Sequence, residues 1–145
     1  VKLAELVDTL DLDVRSARGK LANEVTGGYA SDLLSDVIAH GSPGNVWITL
    51  QVHQNIVAVA SMKELAGIVL VGGREPEEDT IQKAEREGIP LAVSSLPAFE
   101  LVGRLYSLGL RSTRIKSTAE PGSKGAGKTG SATPAETSRS RKSPE

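Results

Sequence analysis

Gly67-Ile68-Val69-Leu70-Val71 is a continuous apolar run that ends on Gly72-Gly73. Too short for a buried helix, it suits a strand covered on both faces, as in a parallel sheet. The same pattern recurs on either side. Upstream, Val46-Trp47-Ile48-Thr49-Leu50 is β-branched and aromatic, hence a strand. Residues 55–66 after it read as a helix, although Ile56-Val57-Ala58-Val59 also fits a strand. Downstream of the central run a helix is predicted from Pro76. It carries Glu77, Glu78 and Asp79 in its first turn, Lys83 and Arg86 late and Gly88 as its stop, the order that the helix dipole favours. Pro90-Leu91-Ala92-Val93 is the next strand, and Pro97 to Leu108 the next helix. Its expected buried side is Ala98, Leu101, Val102 and Leu105, and Gly109 ends it. Strand starts near residues 46, 67 and 90 leave about 22 residues per unit, room for right-handed crossovers between parallel strands. The expected fold is α/β, a three-layer α/β/α sandwich on a mostly parallel sheet built from repeated βα units.

Before these repeats, Leu3, Leu6, Val7 and Leu10 recur at helical spacing and open the chain with a short amphipathic helix. Leu12 and Val14 alternate with Asp11, Asp13 and Arg15 as a brief strand does. Thr26-Gly27-Gly28-Tyr29 reads as a turn or strand edge, because paired glycines disfavour a helix. From Ser31 a helix is predicted with Leu33, Leu34, Val37 and Ile38 on one face, Asp32 at its positive end and Gly41 at its close. Ser42-Pro43-Gly44-Asn45 makes the turn that follows.

The chain of 145 residues has room for one core. We expect a domain over residues 1–110 and a disordered basic tail over 111–145, where Ile115 stands alone among Ser, Thr, Gly, Pro, Ala, Lys and Arg. Charge divides at the same place: residues 1–110 hold nine Lys and Arg against fifteen Asp and Glu, and the tail holds eight against three. The near-zero total thus joins an acidic body to a basic arm, but nucleic acid is not the expected partner. Cysteine is absent, which excludes disulfides, thiolate metal sites and thiol catalysis, and two histidines form no visible metal cluster. Val1-Lys2-Leu3-Ala4-Glu5 has no long apolar segment, and Lys63 and Glu64 interrupt the apolar stretch from Ile56 to Val71. A cytoplasmic protein without membrane contact is expected.

In an open parallel sheet, ligands bind beyond the carboxyl ends of the strands, where helix N-termini also point. Gln51-Val52-His53-Gln54-Asn55, Gly72-Gly73-Arg74-Glu75 and Ser94-Ser95-Leu96-Pro97 should meet there. Thr26, Gly27 and Gly28 join them if their strand enters the same sheet. The candidate ligand-binding set is therefore Thr26, Gly27, Gly28, His53, Gly72, Gly73 and Arg74, offering amides, a hydroxyl, an imidazole and a guanidinium to a small phosphorylated ligand. Simpler roles compete: Gly72-Gly73 as a plain turn, Ser94 or Ser95 as a helix cap, Trp47 as core packing. No catalytic residue, metal or cofactor is expected. Gly122-Ser123-Lys124-Gly125-Ala126-Gly127-Lys128-Thr129 satisfies the Walker A pattern, but no apolar strand delivers it and no helix-forming segment continues it. A phosphotransferase using this motif is the alternative function.

Glu24-Val25-Thr26-Gly27-Gly28-Tyr29 followed by Ser31-Asp32-Leu33-Leu34-Ser35-Asp36-Val37 resembles the signature of the DRTGG domain family. Trp47-Ile48-Thr49-Leu50-Gln51, Asn55-Ile56-Val57-Ala58-Val59-Ala60 and Gly73-Arg74-Glu75-Pro76 also resemble stand-alone members of it. Val25 stands where the family label has arginine, which keeps the Gly-Gly pair but removes a guanidinium. The resemblance covers about residues 2–110. It implies a fold similar to the N-terminal domain of HPr kinase/phosphorylase, itself similar to a Mur ligase N-terminal domain, without the kinase's catalytic domain. It also implies company, since family domains accompany CBS pairs in regulated pyrophosphatases, or phosphotransacetylase-type domains. The expected function is a non-catalytic regulatory or dimerisation module. Its expected partners are a second copy, a metabolic or redox enzyme, and a nucleotide or phosphorylated metabolite.

Overall fold

The computed structural model describes residues 1–113, so all but the first three residues of the expected tail, and with them the Gly122–Thr129 motif, lie outside the described residues. Helix α1 (Leu3–Leu10) turns Leu3, Leu6 and Leu10 inward, as their spacing requires. Strand β1 (Asp13–Ser16), a 3-10 turn (Arg18–Lys20), strand β2 (Gly27–Ala30) and helix α2 (Leu34–His40) follow. The three predicted units come next: β3 (Asn45–Thr49) with α3 (Asn55–Met62), β4 (Gly67–Leu70) with α4 (Glu78–Glu87), and β5 (Leu91–Val93) with α5 (Ala98–Ser107). The segment that also fitted a strand, Ile56 to Val59, is helical.

One sheet carries all five strands in the order β1-β5-β4-β3-β2. Strands β2 to β5 run parallel, and β1 pairs antiparallel with β5 at one margin. Alternation along the strands sorts the core into two layers. Val46, Ile48, Val69, Val71 and Ala92 face Leu3, Leu6 and Leu10 of α1 and Leu101 and Leu105 of α5. Trp47, Ile68, Leu70, Leu91 and Val93 face Val37 of α2, Ile56, Val57 and Ala60 of α3 and Ala84 of α4. This is the expected α/β/α sandwich. Burying the side chains of β3, β4 and β5 on both faces removes each from water at roughly 25 cal/mol per Å², which is why the apolar runs in these strands are unbroken.

Several local expectations are corrected. Helix α2 starts at Leu34 because the residues before it bond elsewhere, so Leu34 and Val37 face the core while Leu33 and Ile38 are exposed. Helix α4 starts at Glu78, one residue beyond its cap Glu77, and Pro76 lies buried ahead of it. In α5 the inward stripe is Leu101 and Leu105, continued by Leu110, so Ala98 and Val102 are exposed. The outward stripe of α5 is Phe99, Val102, Gly103 and Tyr106, with Phe99 92% exposed. Gly103 costs this helix about 1 kcal/mol relative to alanine, and among the described residues a Cβ there would meet nothing within 4 Å.

The pair Gly27-Gly28 is a strand margin with a covering. The Gly28 amide donates to the Arg111 carbonyl at 3.1 Å, and the buried Asn45 amide group donates to the Thr113 hydroxyl at 3.1 Å. The chain is thus anchored along β2 as far as residue 113. A Cβ on Gly27 would lie 2.6 Å from the Arg111 oxygen and 2.7 Å from the Thr113 hydroxyl, whereas one on Gly28 would find its nearest neighbour at 3.9 Å. Close approach of these residues, rather than a turn, fixes glycine at position 27.

Candidate functional site

The carboxyl ends of β3, β4 and β5 deliver three loops to one rim, as the topology of repeated βα units requires. The structure does not unite the seven candidate residues there. Parallel β2 pairs Gly27 with Asn45 and Gly28 with Val46, which places Thr26, Gly27 and Gly28 at the amino end of the sheet. The Thr26 hydroxyl donates to the Pro43 carbonyl at 2.9 Å. His53, Gly72, Gly73 and Arg74 remain on the carboxyl rim.

The two glycines of that rim do more than turn the chain. Both adopt left-handed backbone, φ 66° at Gly72 and 67° at Gly73. Their amides point across the rim: Gly72 donates to the Leu96 carbonyl at 2.7 Å and Gly73 to the Ser94 carbonyl at 2.8 Å. These donors are engaged and form no free anion cradle. Ser94 is buried, and its hydroxyl accepts the Leu96 amide at 3.1 Å. It shapes a turn and does not cap the helix, since Pro97 holds the cap position of α5.

Side chains supply the remaining chemistry. The His53 Nδ1 lies 2.8 Å from Glu77 Oε2, and both are well exposed. Thr80, fully buried, donates its hydroxyl to the Val52 carbonyl at 2.7 Å and ties the first turn of α4 to the His53 loop. Arg74 is exposed, and no acidic side chain among the described residues pairs with its guanidinium. Its neighbour Glu75 is gripped by Arg15, with Nη2 2.9 Å from Oε2, while Arg15 Nε reaches Asp13 at 3.0 Å. The guanidinium holds the Glu75 carboxyl below the usual carboxylate range, and the same contact raises the Arg15 pKa.

Two acidic residues outside the candidate set, Asp32 and Asp36, also organise local structure. Asp32 accepts the Thr49 hydroxyl at 2.9 Å and the Leu50 amide at 2.7 Å through one oxygen, and its carbonyl accepts the Gln51 side-chain amide at 2.8 Å. It closes the end of β3 instead of capping α2. Asp36 accepts the Tyr29 hydroxyl at 2.8 Å and faces His40 Nδ1 at 3.0 Å. Hydrogen bonding to His40, then Tyr29, then Ser31 lowers its pKa. The i,i+4 spacing of Asp36 and His40 is the signal that reveals this pair in sequence.

Beside Asp32 lies a cleft of about 200 Å³, lined by Ala30, Ile48, Thr49, Leu50, Val71 and Ala98 among others. Its wall is apolar apart from the Asp32, Ser31 and Thr49 contributions, and it opens between the ends of the parallel strands and the first turn of α5. No group of three or more metal-ligating side chains occurs among the described residues, and no described helix is long and apolar enough to cross a membrane.

In fold the chain is similar to the CBS and DRTGG domains of the regulatory region of Clostridium perfringens pyrophosphatase, a crystal structure in complex with the activator diadenosine tetraphosphate. The TM-score is 0.60 at 17% identity, over 76% of this chain and 47% of that one. The chain therefore spans about half the length of that structure. At this identity the likeness is one of architecture, shared with a region that contains a DRTGG domain. No family model and no curated protein matches the sequence.

Proposed function

We propose that this chain is a non-catalytic regulatory module that self-associates and modulates a partner enzyme in metabolism or redox chemistry. The observation that carries this reading is the apolar stripe on α5, where Phe99 is 92% exposed and Val102 and Tyr106 stand beside it. Aromatic side chains left in water on one helix face are the composition of an association surface. The likeness in fold to a regulatory region that contains a DRTGG domain supports the regulatory half. Size-exclusion chromatography with light scattering, run over a concentration series, tests the association. A dimer is expected, and a strict monomer at every concentration refutes self-association. Affinity capture with the full chain then identifies the enzyme, whose activity must change when the chain is added.

A second reading is favoured by Arg74, an exposed guanidinium without an acidic partner among the described residues. In this reading Arg74 and His53 contact a phosphorylated metabolite or nucleotide. The backbone turn Gly72-Gly73 delivers Arg74 without lending its amides. Thr26, Gly27 and Gly28 sit at the far rim and act on that ligand only through the fold. Calorimetry with a nucleotide panel decides the matter: binding that Arg74→Ala weakens at least tenfold supports it, and binding indifferent to that change removes it. The phosphotransferase alternative predicts ATP binding that depends on Lys128. Lys128→Ala is expected to leave nucleotide binding unchanged.

A further inference from the structure

Gly103 poses a question that the body of the protein does not answer. Glycine weakens a helix interior more than any residue except proline. Positions like this are normally explained by a neighbour pressed against the backbone, yet among the described residues a Cβ at Gly103 would meet nothing within 4 Å. The residue lies in the middle of the outward stripe of α5, between Val102 and Tyr106, with Phe99 one turn earlier. Close approach from beyond the described residues accounts for it.

The charges on the same helix select the visitor. Glu100 and Arg104 sit on α5 four residues apart, both about half exposed, with Arg104 Nε 3.3 Å from Glu100 Oε2. Laying a second α5 antiparallel across the first, with the two-fold axis beside Val102 and Gly103, sets each Glu100 opposite the other copy's Arg104. The same operation sets each Phe99 opposite the other copy's Tyr106, and the small Gly103 admits the facing Val102. The surface is complementary to itself in charge, in size and in apolar character, as a two-fold contact requires. Tyr106 is already steadied, because the Arg111 guanidinium lies 3.6 Å over its ring.

We infer that α5 is a homodimer interface, in which two copies of this chain pack their α5 helices antiparallel about Val102 and Gly103. The inference rests on the self-association proposed above and adds its location. A contact centred on one ten-residue helix is smaller than the roughly 800 Å² per partner of a standard interface. The dimer is therefore reversible, and its dissociation is measurable by dilution.

The chain contains no cysteine, so a single introduced thiol is an unambiguous reporter. Val102→Cys in the full chain is expected to form a disulfide-linked dimer under mild oxidation, while Met62→Cys, on the opposite layer and 59% exposed, is not. Gly103→Leu is expected to raise the dissociation constant at least tenfold without lowering the thermal midpoint of the monomer, since the site has room. Glu100→Arg weakens the dimer, and adding Arg104→Glu restores it. A dimer that ignores Gly103→Leu and leaves the Val102→Cys variant without a disulfide link overturns the location on α5 alone. A chain that is monomeric throughout overturns the location and the self-association together.

Discussion

The guanidinium of Arg15 grasps the carboxylate of Glu75 across 60 positions of sequence, with Nη2 2.9 Å from Oε2. This joins the antiparallel strand β1 to the loop that leaves β4. Because Glu75 titrates below its ordinary value of 4.5 in the folded chain, the contact stabilises the fold at pH above the ordinary glutamate range. It is lost as pH falls through the lowered value. Glu75→Gln should therefore lower the thermal midpoint at neutral pH, and the gap from the parent should close in acid. A gap of constant size across that range would show that the pair is not the cause.

Asp32→Ala removes the acceptor for the Thr49 hydroxyl and the Leu50 amide at the end of β3. The expected loss is about 1–3 kcal/mol in chemical denaturation, with Asp32→Asn costing less because it retains an acceptor oxygen. Equal losses for the two variants would mean that the carboxyl end of β3 is held by something other than this bond.

Gly27 and Gly28 are adjacent but not equivalent. Gly27→Ala forces a methyl group against the Arg111 carbonyl and the Thr113 hydroxyl, and we expect a cost of about 1–3 kcal/mol and faster hydrogen exchange at the Gly28 amide. Gly28→Ala should be close to neutral. The prediction fails if the two substitutions behave alike.

Trp47 is fully buried and donates its indole N–H to the Ser31 carbonyl at 2.8 Å. Trp47→Phe leaves that carbonyl without its donor and a void beside Val37, for an expected loss of about 1–3 kcal/mol. Urea titration followed by circular dichroism measures it, and a change within error would put the weight of this layer on the aliphatic side chains alone.

The architecture was legible because the strands that matter are short apolar runs punctuated by glycine and proline, and because α4 announces itself through acidic residues at its start and Arg86 and Gly88 at its end. These are local signals. The second stripe of α5 was not legible, since Val102 is as apolar as Leu101 and only the seating of Leu101 and Leu105 on the sheet decides which one faces water. Asp32 looked like a helix cap until its partners, Thr49 and Leu50, were brought close by strand pairing. The candidate site divided for a related reason. A residue at the start of a parallel strand belongs to the amino rim, so Thr26, Gly27 and Gly28 could not join His53 and Arg74 once β2 ran alongside β3. The engagement of the Gly72 and Gly73 amides depends on a loop that begins more than twenty residues later, beyond the reach of any local pattern.

The bonds from Gly72 to Leu96 and from Gly73 to Ser94 lash two successive loops together immediately ahead of Pro97. They act as a stiff yoke between the segment that carries Arg74 and the root of α5. A disturbance that displaces one end of the yoke must drag the other or break both ties.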